Sequence, residues 1–315
     1  MPQTPPTTGK HTLPWLAPTK LNLFLHIIGR IETPPFAGYH ELQTYFQLIN
    51  YGDRLMFTPT DTPGTQIIWT PGEESIAHKP ARMEDDLIHR AAALLQARRP
   101  SRGRANKGMQ ITLQKNAPVG GGMGGGSSAA ATTLIALNHY WELDIEREEL
   151  QEIGLTLGAD VPVFIEGRSA WAEGIGERLT PLPSPVADQW FVIVVPDASS
   201  WTQKLFAHPE LPRSTPRQRP ETLLPDWQKN GFNAFERILL EDAPTIRRCF
   251  DALQREAGFA RITGSGACLF APVPDRAEGK RIAERIRQNT PEIKRVIIAP
   301  ALRNPISADS GVKNI

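Results

Sequence analysis

Between residues 120 and 126 six of seven positions are glycine, and the run sits where a strand should end and a helix begin. Glycine reaches positive φ cheaply but loses more backbone entropy on folding than any other residue. So dense a cluster is either a flexible glycine–serine linker or a place where backbone must come close to something. The flanks favour the second reading. MQITLQK (109–115) alternates like a half-buried strand, and an alanine-rich stretch over 127–141 reads as a helix. A helix start offers unpaired N–H groups and a positive dipole end, which suit a phosphate. Ser127 and Ser128 stand at that start.

Several phosphate loops are built from glycine, and the sequence separates them. A Walker loop needs Lys-Ser/Thr after its last glycine, whereas Gly126 is followed by Ser-Ser. Gly120, Gly122 and Gly125 match a dinucleotide fingerprint. That fold wants a second strand ending in an acid about 20 residues on, and a second helix (146–157) follows instead. A protein-kinase glycine loop lies between two strands ahead of a Val-Ala-Ile-Lys strand, and neither condition is met.

Three hundred and fifteen residues suffice for ~2 domains. Thirty-five basic against 34 acidic side chains leave +1, no bias toward nucleic acid or an anionic membrane. No apolar run reaches the ~18 residues of a membrane span. Cys249 and Cys268 have no metal-ligand spacing and fit a reducing, cytoplasmic setting. Residues 1–13 are Pro/Thr-rich and read as a disordered tail, 303–315 as a loose one, and PLPSPVAD (181–188) as a linker. Domains are thus expected at 14–184 and 189–302.

Strands are expected from Lys20 through LNLFLHII, over ELQTYFQLI (41–49), RLMFT, QIIW, VPVFI, SAWAE, WFVIVV and RVIIA. In 41–49, Leu42, Thr44, Phe46 and Leu48 share one face and Glu41, Gln43, Tyr45 and Gln47 the other. Helices are expected over 84–99, 127–141, 146–157, 232–241, 245–257 and 276–288, with a Pro/Arg-rich loop at 209–220. In that loop Arg213, Arg217 and Arg219 read as a solvated set. ARITGSGACLFAPV reads as two strands around a Gly-Ser-Gly turn. Strands and helices mixed without strict alternation indicate an α+β chain.

The loop Pro118-Val119-Gly120-Gly121-Gly122-Met123-Gly124-Gly125-Gly126-Ser127-Ser128 resembles the phosphate loop of the GHMP kinases. Pro18-Thr19-Lys20-Leu21-Asn22-Leu23 resembles their first motif and Thr263-Gly264-Ser265-Gly266-Ala267-Cys268 their third, in the right order along the chain. LNLFLHIIGR, GYHELQTYFQLINYGD, LTLGADVPVFIEGRSAWAEGIGE and HPELPRSTP resemble the branch that acts on a cytidine diphosphate-linked methylerythritol in the non-mevalonate route to isoprenoids. The resemblance implies a two-domain GHMP kinase fold: an N-terminal ribosomal-protein-S5-like nucleotide-binding domain and a C-terminal ferredoxin-like α/β sandwich. It implies ATP-dependent phosphorylation of the acceptor's 2-hydroxyl.

On the same resemblance, Asp160 in Gly-Ala-Asp-Val-Pro is the base at that hydroxyl and Lys20 its partner, stabilising charge developing on alkoxide and phosphoryl. From the residues alone, Asp160 reads more readily as a capping or turn acid, and Lys20 has the alternative of a solvated edge lysine. The loop residues 118–128 and Lys115 are the expected ATP contacts. Asp86 joins them where the resembling enzymes usually carry Asn; ionised Asp only accepts hydrogen bonds. Asn22, Tyr39, His40, Thr202, Phe206, Gly264, Ser265 and Gly266 fall on the acceptor side, Tyr39 and Phe206 as an aromatic clamp on the cytosine. Magnesium is expected with ATP, with no protein ligand named. The expected partners are these small molecules, with no nucleic acid and no membrane, for a monomer or weak homodimer.

Two other function classes stay open at this level: a nicotinamide-dependent oxidoreductase resting on Gly120, Gly122 and Gly125, and a nucleic-acid module suggested by the ribosomal-protein-like fold.

Overall fold

The computed structural model describes residues 14–74, 79–98, 108–198 and 202–303; the expected tails at 1–13 and from 304 onward lie outside the described residues. Two long strands, β1 (Trp15–Arg30) and β2 (His40–Thr60), form the antiparallel hairpin on which the rest is built. RLMFT continues β2 rather than starting a new strand. There follow β3 (Thr65–Pro71), α1 (Leu87–Gln96), β4 (Gly108–Lys115), α2 (Gly125–Tyr140), α3 (Arg147–Leu155), α4 (Val161–Glu166), β5 (Ala170–Gly174) and β6 (Arg178–Pro181). Their sheet runs β3-β4-β2-β5-β6, with β1 on β2 and the β3–β4 pair parallel.

The later half supplies β7 (Trp190–Pro196), α5 (Thr202–Ala207), α6 (Pro220–Leu223), α7 (Trp227–Asn230), α8 (Glu236–Asp242), α9 (Pro244–Ala257), β8 (Arg261–Ile262), β9 (Leu269–Val273), α10 (Arg276–Asn289) and β10 (Ile293–Pro300). Its four strands form a second sheet, β10-β7-β9-β8, antiparallel throughout.

The layers are helix, sheet, sheet, helix. Phe46, Leu48, Leu55, Phe57, Ile111 and Leu113 of the first sheet pack beneath α2 and α4 through Ala130, Leu134, Leu137 and Phe164. On its opposite face Leu21, Leu23, Tyr45, Ile49 and Trp171 meet Phe191, Ile193, Phe270 and Ile297 of the second sheet. The second sheet's far face carries α9 and α10 through Ile246, Leu253, Ile282 and Ile286. Each large apolar side chain buried in these layers stabilises the fold by roughly 1.5–3 kcal/mol.

This layering decides what covers the two faces of residues 41–49. The polar face is not solvated: Gln43, Tyr45 and Gln47 are buried along with the apolar face. Burial is tolerated because each polar group is paired. The Tyr45 hydroxyl donates to the Leu182 carbonyl (2.9 Å), and Gln43 donates to Glu173 and exchanges bonds with the backbone of Gln218. VPVFI is also not a strand but α4, opened by Pro162 in its first turn, with all six of its residues buried. Contact with α2 and α3 there overrides the strand preference of Val, Phe and Ile. Asp86, not Glu84 or Asp85, caps α1; the two acids form a 3₁₀ turn before it.

In the sheet β1 pairs only with β2, yet its other side is not bare. The Lys20 N–H donates to the Met123 carbonyl (3.0 Å) and the Asn22 N–H to Thr263 Oγ1 (3.0 Å). Arg261 donates to the Leu23 carbonyl (2.8 Å), Leu25 exchanges backbone bonds with Phe232 (2.9 Å) and Ala234 (2.8 Å), and the Thr215 N–H reaches the Ile27 carbonyl (3.0 Å). The same Arg261 guanidinium also binds the carbonyls of Trp227, Gln228 and Gly231, at the end of α7.

Candidate active site

The glycine run leaves β4 and enters α2, and a cleft of about 360 Å³ opens beside it. Every residue from Pro118 to Ser127 lines the cleft, with Lys115, Asp86, Asp53 and Trp69. Ser128 does not line it; it lies buried in the first turn of α2, its hydroxyl without a hydrogen-bond partner. Gly124 stands before the helix and offers no side-chain cap, so the first-turn N–H groups of α2 have no side chain competing for them.

At several of these glycines a side chain is missing for lack of room. A Cβ on Gly122, whose φ is +75°, would stand 2.1 Å from the Thr263 carbonyl oxygen. One on Gly124 would press on the Phe164 ring (2.9 Å) and approach Lys20 Cε (3.4 Å). The loop is therefore clamped between α4 and the turn after β8.

That turn carries the third motif. Thr263 takes the Asn22 N–H, and its hydroxyl also lies 3.3 Å from the Gly122 carbonyl. Asn233 holds the turn from behind through the carbonyls of Ile262 (3.1 Å) and Gly264 (2.8 Å). Gly264 and Gly266 so face the glycine loop, with Lys20 Nζ within 3.4 Å of where a Gly264 Cβ would lie, and Ser265 stands between them.

Lys20 and Asp160 come together. Lys20 Nζ is almost fully buried, donates to Asn22 Oδ1 (2.6 Å) and lies 3.5 Å from Asp160 Oδ2. Asn22 is fixed in turn by its Nδ2–H donating to Thr44 Oγ1 (2.9 Å). Asp160 occupies the cap position of α4 but makes no capping bond, and a third of its side chain is open to solvent. It is a carboxylate beside a cation with its outer side free.

At the end of β4, Lys115 is not free. Its ammonium lies 2.5 Å from the Asp53 carboxylate, both buried, and Asp53 Oδ1 accepts the N–H groups of Asn116 and Ala117 (2.8 Å each). Asp53 thereby shapes the exit of β4 into the loop. Asp86 accepts from the N–H groups of Ile88 (2.8 Å) and His89 (3.4 Å) with one oxygen and from Trp69 Nε1 (3.0 Å) with the other. Trp69, Pro80, Leu87 and Leu113 give the cleft an apolar end.

The expected acceptor residues divide. His40 and Phe206 meet, ring centroids 5.2 Å apart, although 166 positions separate them. Phe206 also packs edge-on to Phe235 (4.8 Å), which ties it to the core of the later half. Tyr39 is exposed and turns its ring toward Phe36 (6.0 Å) rather than Phe206. Thr202 opens α5, with its side chain outside the described residues. Of the loop arginines, Arg217 and Arg219 are exposed as expected, Arg217 reaching Glu41 and Glu173 from the surface, whereas Arg213 is half-buried and donates to His40. Burial, then the charges of Arg30 and Arg213, push the His40 pKa down.

Sequence reasoning passed over Asp53, Trp69 and Arg213. For Asp53 a signal existed, an acid inside an otherwise paired strand. Trp69 read as one more strand residue, and Arg213 was indistinguishable from its loop neighbours. The dinucleotide reading fails on topology, since the loop leads to α2 and α3 and the sheet is mainly antiparallel.

Residues 86–168 match the model of the GHMP kinases N terminal domain and residues 228–292 that of the GHMP kinases C terminal domain. The fold and the clamped glycine loop are those of a GHMP kinase. Homoserine kinase from Cytophaga hutchinsonii shares the fold, with a TM-score of 0.63 at 15% identity over 97% of this chain and 98% of that one. Two relatives stand nearer, both 4-diphosphocytidyl-2-C-methyl-D-erythritol kinases. That of Halorhodospira halophila is 44% identical over 86% of this chain and 88% of its own length. That of Alcanivorax borkumensis is 42% identical over 88% and 87%. A crystal structure of 4-(cytidine 5'-diphospho)-2C-methyl-D-erythritol kinase aligns with a TM-score of 0.74 at 28% identity, covering 91% of this chain and 98% of that one. The chain belongs to the 4-diphosphocytidyl-2-C-methyl-D-erythritol kinase family.

Proposed function

We propose that this kinase transfers the γ-phosphoryl group of ATP to the 2-hydroxyl of 4-diphosphocytidyl-2-C-methyl-D-erythritol, in the methylerythritol phosphate route to isopentenyl and dimethylallyl diphosphate. The observation that carries the reading is the Lys20–Asp160 pair, 3.5 Å apart and set against the glycine loop. Phosphoryl transfer passes through a loose transition state, so positioning and charge stabilisation supply most of the rate. Asp160, open on one side, takes the proton of the attacking hydroxyl. Lys20, held by Asn22, stabilises the charge that builds on the phosphoryl oxygens and the alkoxide.

The phosphates lie along residues 118–127 at the start of α2, and the purine takes the apolar end near Trp69 and Asp86. Among the described residues no three His, Cys, Asp or Glu side chains stand together as a cage for a cation. We assign no protein ligand to the magnesium that accompanies ATP.

The acceptor reaches from Asp160 to His40 and Phe206. On β2, Lys20 is paired with Leu48 and Arg30 with His40. Eight residues of strand span roughly 25 Å at ~3.3 Å per residue, a length suited to an extended nucleoside diphosphate ester. Residues 14–184 then form the nucleotide half and 189–302 its complement. The chain works as a monomer or weak homodimer in the cytoplasm, where its two buried free cysteines stay reduced.

The test is ADP release from MgATP with and without the acceptor. Release should require the acceptor, and Asp160→Asn and Lys20→Ala should each lower turnover by more than ~10²-fold with the thermal midpoint retained. Near-normal turnover in folded Asp160→Asn protein removes that residue from the mechanism.

A further inference from the structure

Arg213 reaches His40 from a loop 173 residues away, and its donors are fully used. Its Nε–H donates to His40 Nε2 (3.2 Å). Nη1 donates to the carbonyls of Leu211 (3.1 Å) and Pro209 (3.4 Å), and Nη2 to those of Phe206 (3.2 Å) and His208 (2.8 Å). A guanidinium has five N–H donors, and five acceptors surround this one. Its place is therefore set by the backbone at the end of α5, the helix that also carries Phe206.

An arginine has no acceptor and does not give up its proton. The nitrogen it faces must then present a lone pair, and the His40 ring, neutral in this setting, must carry its hydrogen on Nδ1. Burial and the neighbouring charges of Arg30 and Arg213 oppose protonating the ring. The ring is left with one free polar group, a donor.

A fixed donor distinguishes two pyrimidines that differ little in shape. N3 of cytosine accepts a hydrogen bond, whereas N3 of uracil carries a hydrogen and donates. O2 accepts in both and carries no information.

We infer that Arg213 is a specificity-positioning residue: it locks His40 as the Nδ1–H tautomer, so that the acceptor site offers a donor to N3 of cytosine and rejects the uracil counterpart. The inference rests on reading His40 and Phe206 as acceptor-side residues. A donor facing the wrong group leaves two donors opposed in a partly buried site, the arrangement by which sites reject near-isosteres.

Nitrogen-15 NMR of the histidine rings in the full-length wild-type protein reads the tautomer directly. Nδ1–H at His40 is expected, and Nε2–H or a doubly protonated ring near neutral pH overturns the inference without any variant. Steady-state kinetics of Arg213→Met with cytidine- and uridine-linked acceptors supply the second readout. Its preference for the cytidine form should fall by roughly ten- to a hundredfold, with the KM for ATP unchanged and the His40 tautomer shifted to Nε2–H. An equal rise in both acceptor KM values, with the preference intact, assigns Arg213 to holding the loop and overturns the inference. His40→Ala separates the two levels. If it changes neither acceptor KM nor preference, the acceptor-site reading itself falls; if it does and Arg213→Met does not, only the tautomer lock falls.

Discussion

Two glycines of the same loop, Gly120 and Gly122, should respond differently to one added methyl group. Both have positive φ, +70° and +75°, so alanine at either pays the left-handed penalty of about 1–2 kcal/mol. Around a Cβ at Gly120 nothing lies within 4 Å. At Gly122 the Cβ would stand 2.1 Å from the Thr263 carbonyl oxygen and 3.1 Å from that of Gly266. Carbon and oxygen ordinarily approach to about 3.3 Å, so loop and turn must part by more than 1 Å. The turn does not yield easily, because the Thr263 N–H is bonded to the Cys268 carbonyl (3.0 Å) and the Cys268 N–H to that of Gly121 (3.2 Å). Overpacking of this kind adds about 1–3 kcal/mol. Gly122→Ala should therefore cost about 2–5 kcal/mol in all and Gly120→Ala about 1–2 kcal/mol. At roughly 2–4 °C per kcal/mol for a domain of 150–250 residues, thermal melts without nucleotide should rank wild type, Gly120→Ala and Gly122→Ala in falling order. Calorimetric titration with a nonhydrolysable ATP analogue should show weaker binding for Gly122→Ala. Equal melting points for the two variants would refute the clamp between loop and turn, and unchanged affinity in Gly122→Ala would put the phosphates elsewhere.

Asp86→Asn restores the amide usual in the resembling enzymes. Asn caps a helix as well as Asp, but its Nδ2 would face the Trp69 donor, so we expect about 1–3 kcal/mol lost in stability with ATP affinity equal or better; an unchanged melt would show that the Trp69 bond contributes nothing. Lys115→Met leaves the buried Asp53 carboxylate unpaired and should cost about 3–5 kcal/mol, recovered in part by Asp53→Asn in the same chain; denaturant midpoints of the single and double variants check this. Burial, then the charge of Arg261, holds the His26 pKa down to about 4 from its ordinary 6.5. The unfolded chain binds that proton more readily, so the stability is present above pH 6.5 and is lost as the pH falls from there to about 4, about 3 kcal/mol in all. In His26→Gln the slope of stability with pH across that window should flatten, and an unaltered slope assigns it to other groups.

The parts of the site legible in the sequence were those written in consecutive residues. A glycine run between a strand and a helix states its backbone requirement locally, and so do the Gly-Ser-Gly turn and the alternation in β1 and β4. What stayed hidden depends on partners far along the chain. Gln43 and Gln47 carry the residue types of a wet face, and only the second sheet makes that face a buried layer. VPVFI has strand residues throughout and becomes helix because α2 and α3 enclose it. Arg213 differs from Arg219 only in what lies 173 residues earlier. Asp53 needed the return of β4 alongside β2 before it could meet Lys115.

The covering of β1 ties the order of assembly to the order of synthesis. Lys20, Asn22 and Asp160 all lie within the first 160 residues, and so does the glycine loop. The groups that close the strand's open side come late: Thr215, then Phe232 and Ala234, then Arg261 and Thr263. A nascent chain that has only reached residue 188 therefore holds every group assigned to the chemistry, together with a row of unpaired N–H and carbonyl groups, the kind of edge along which strands of separate molecules join. Closing β1 and shielding it from other copies both await residues 261–263.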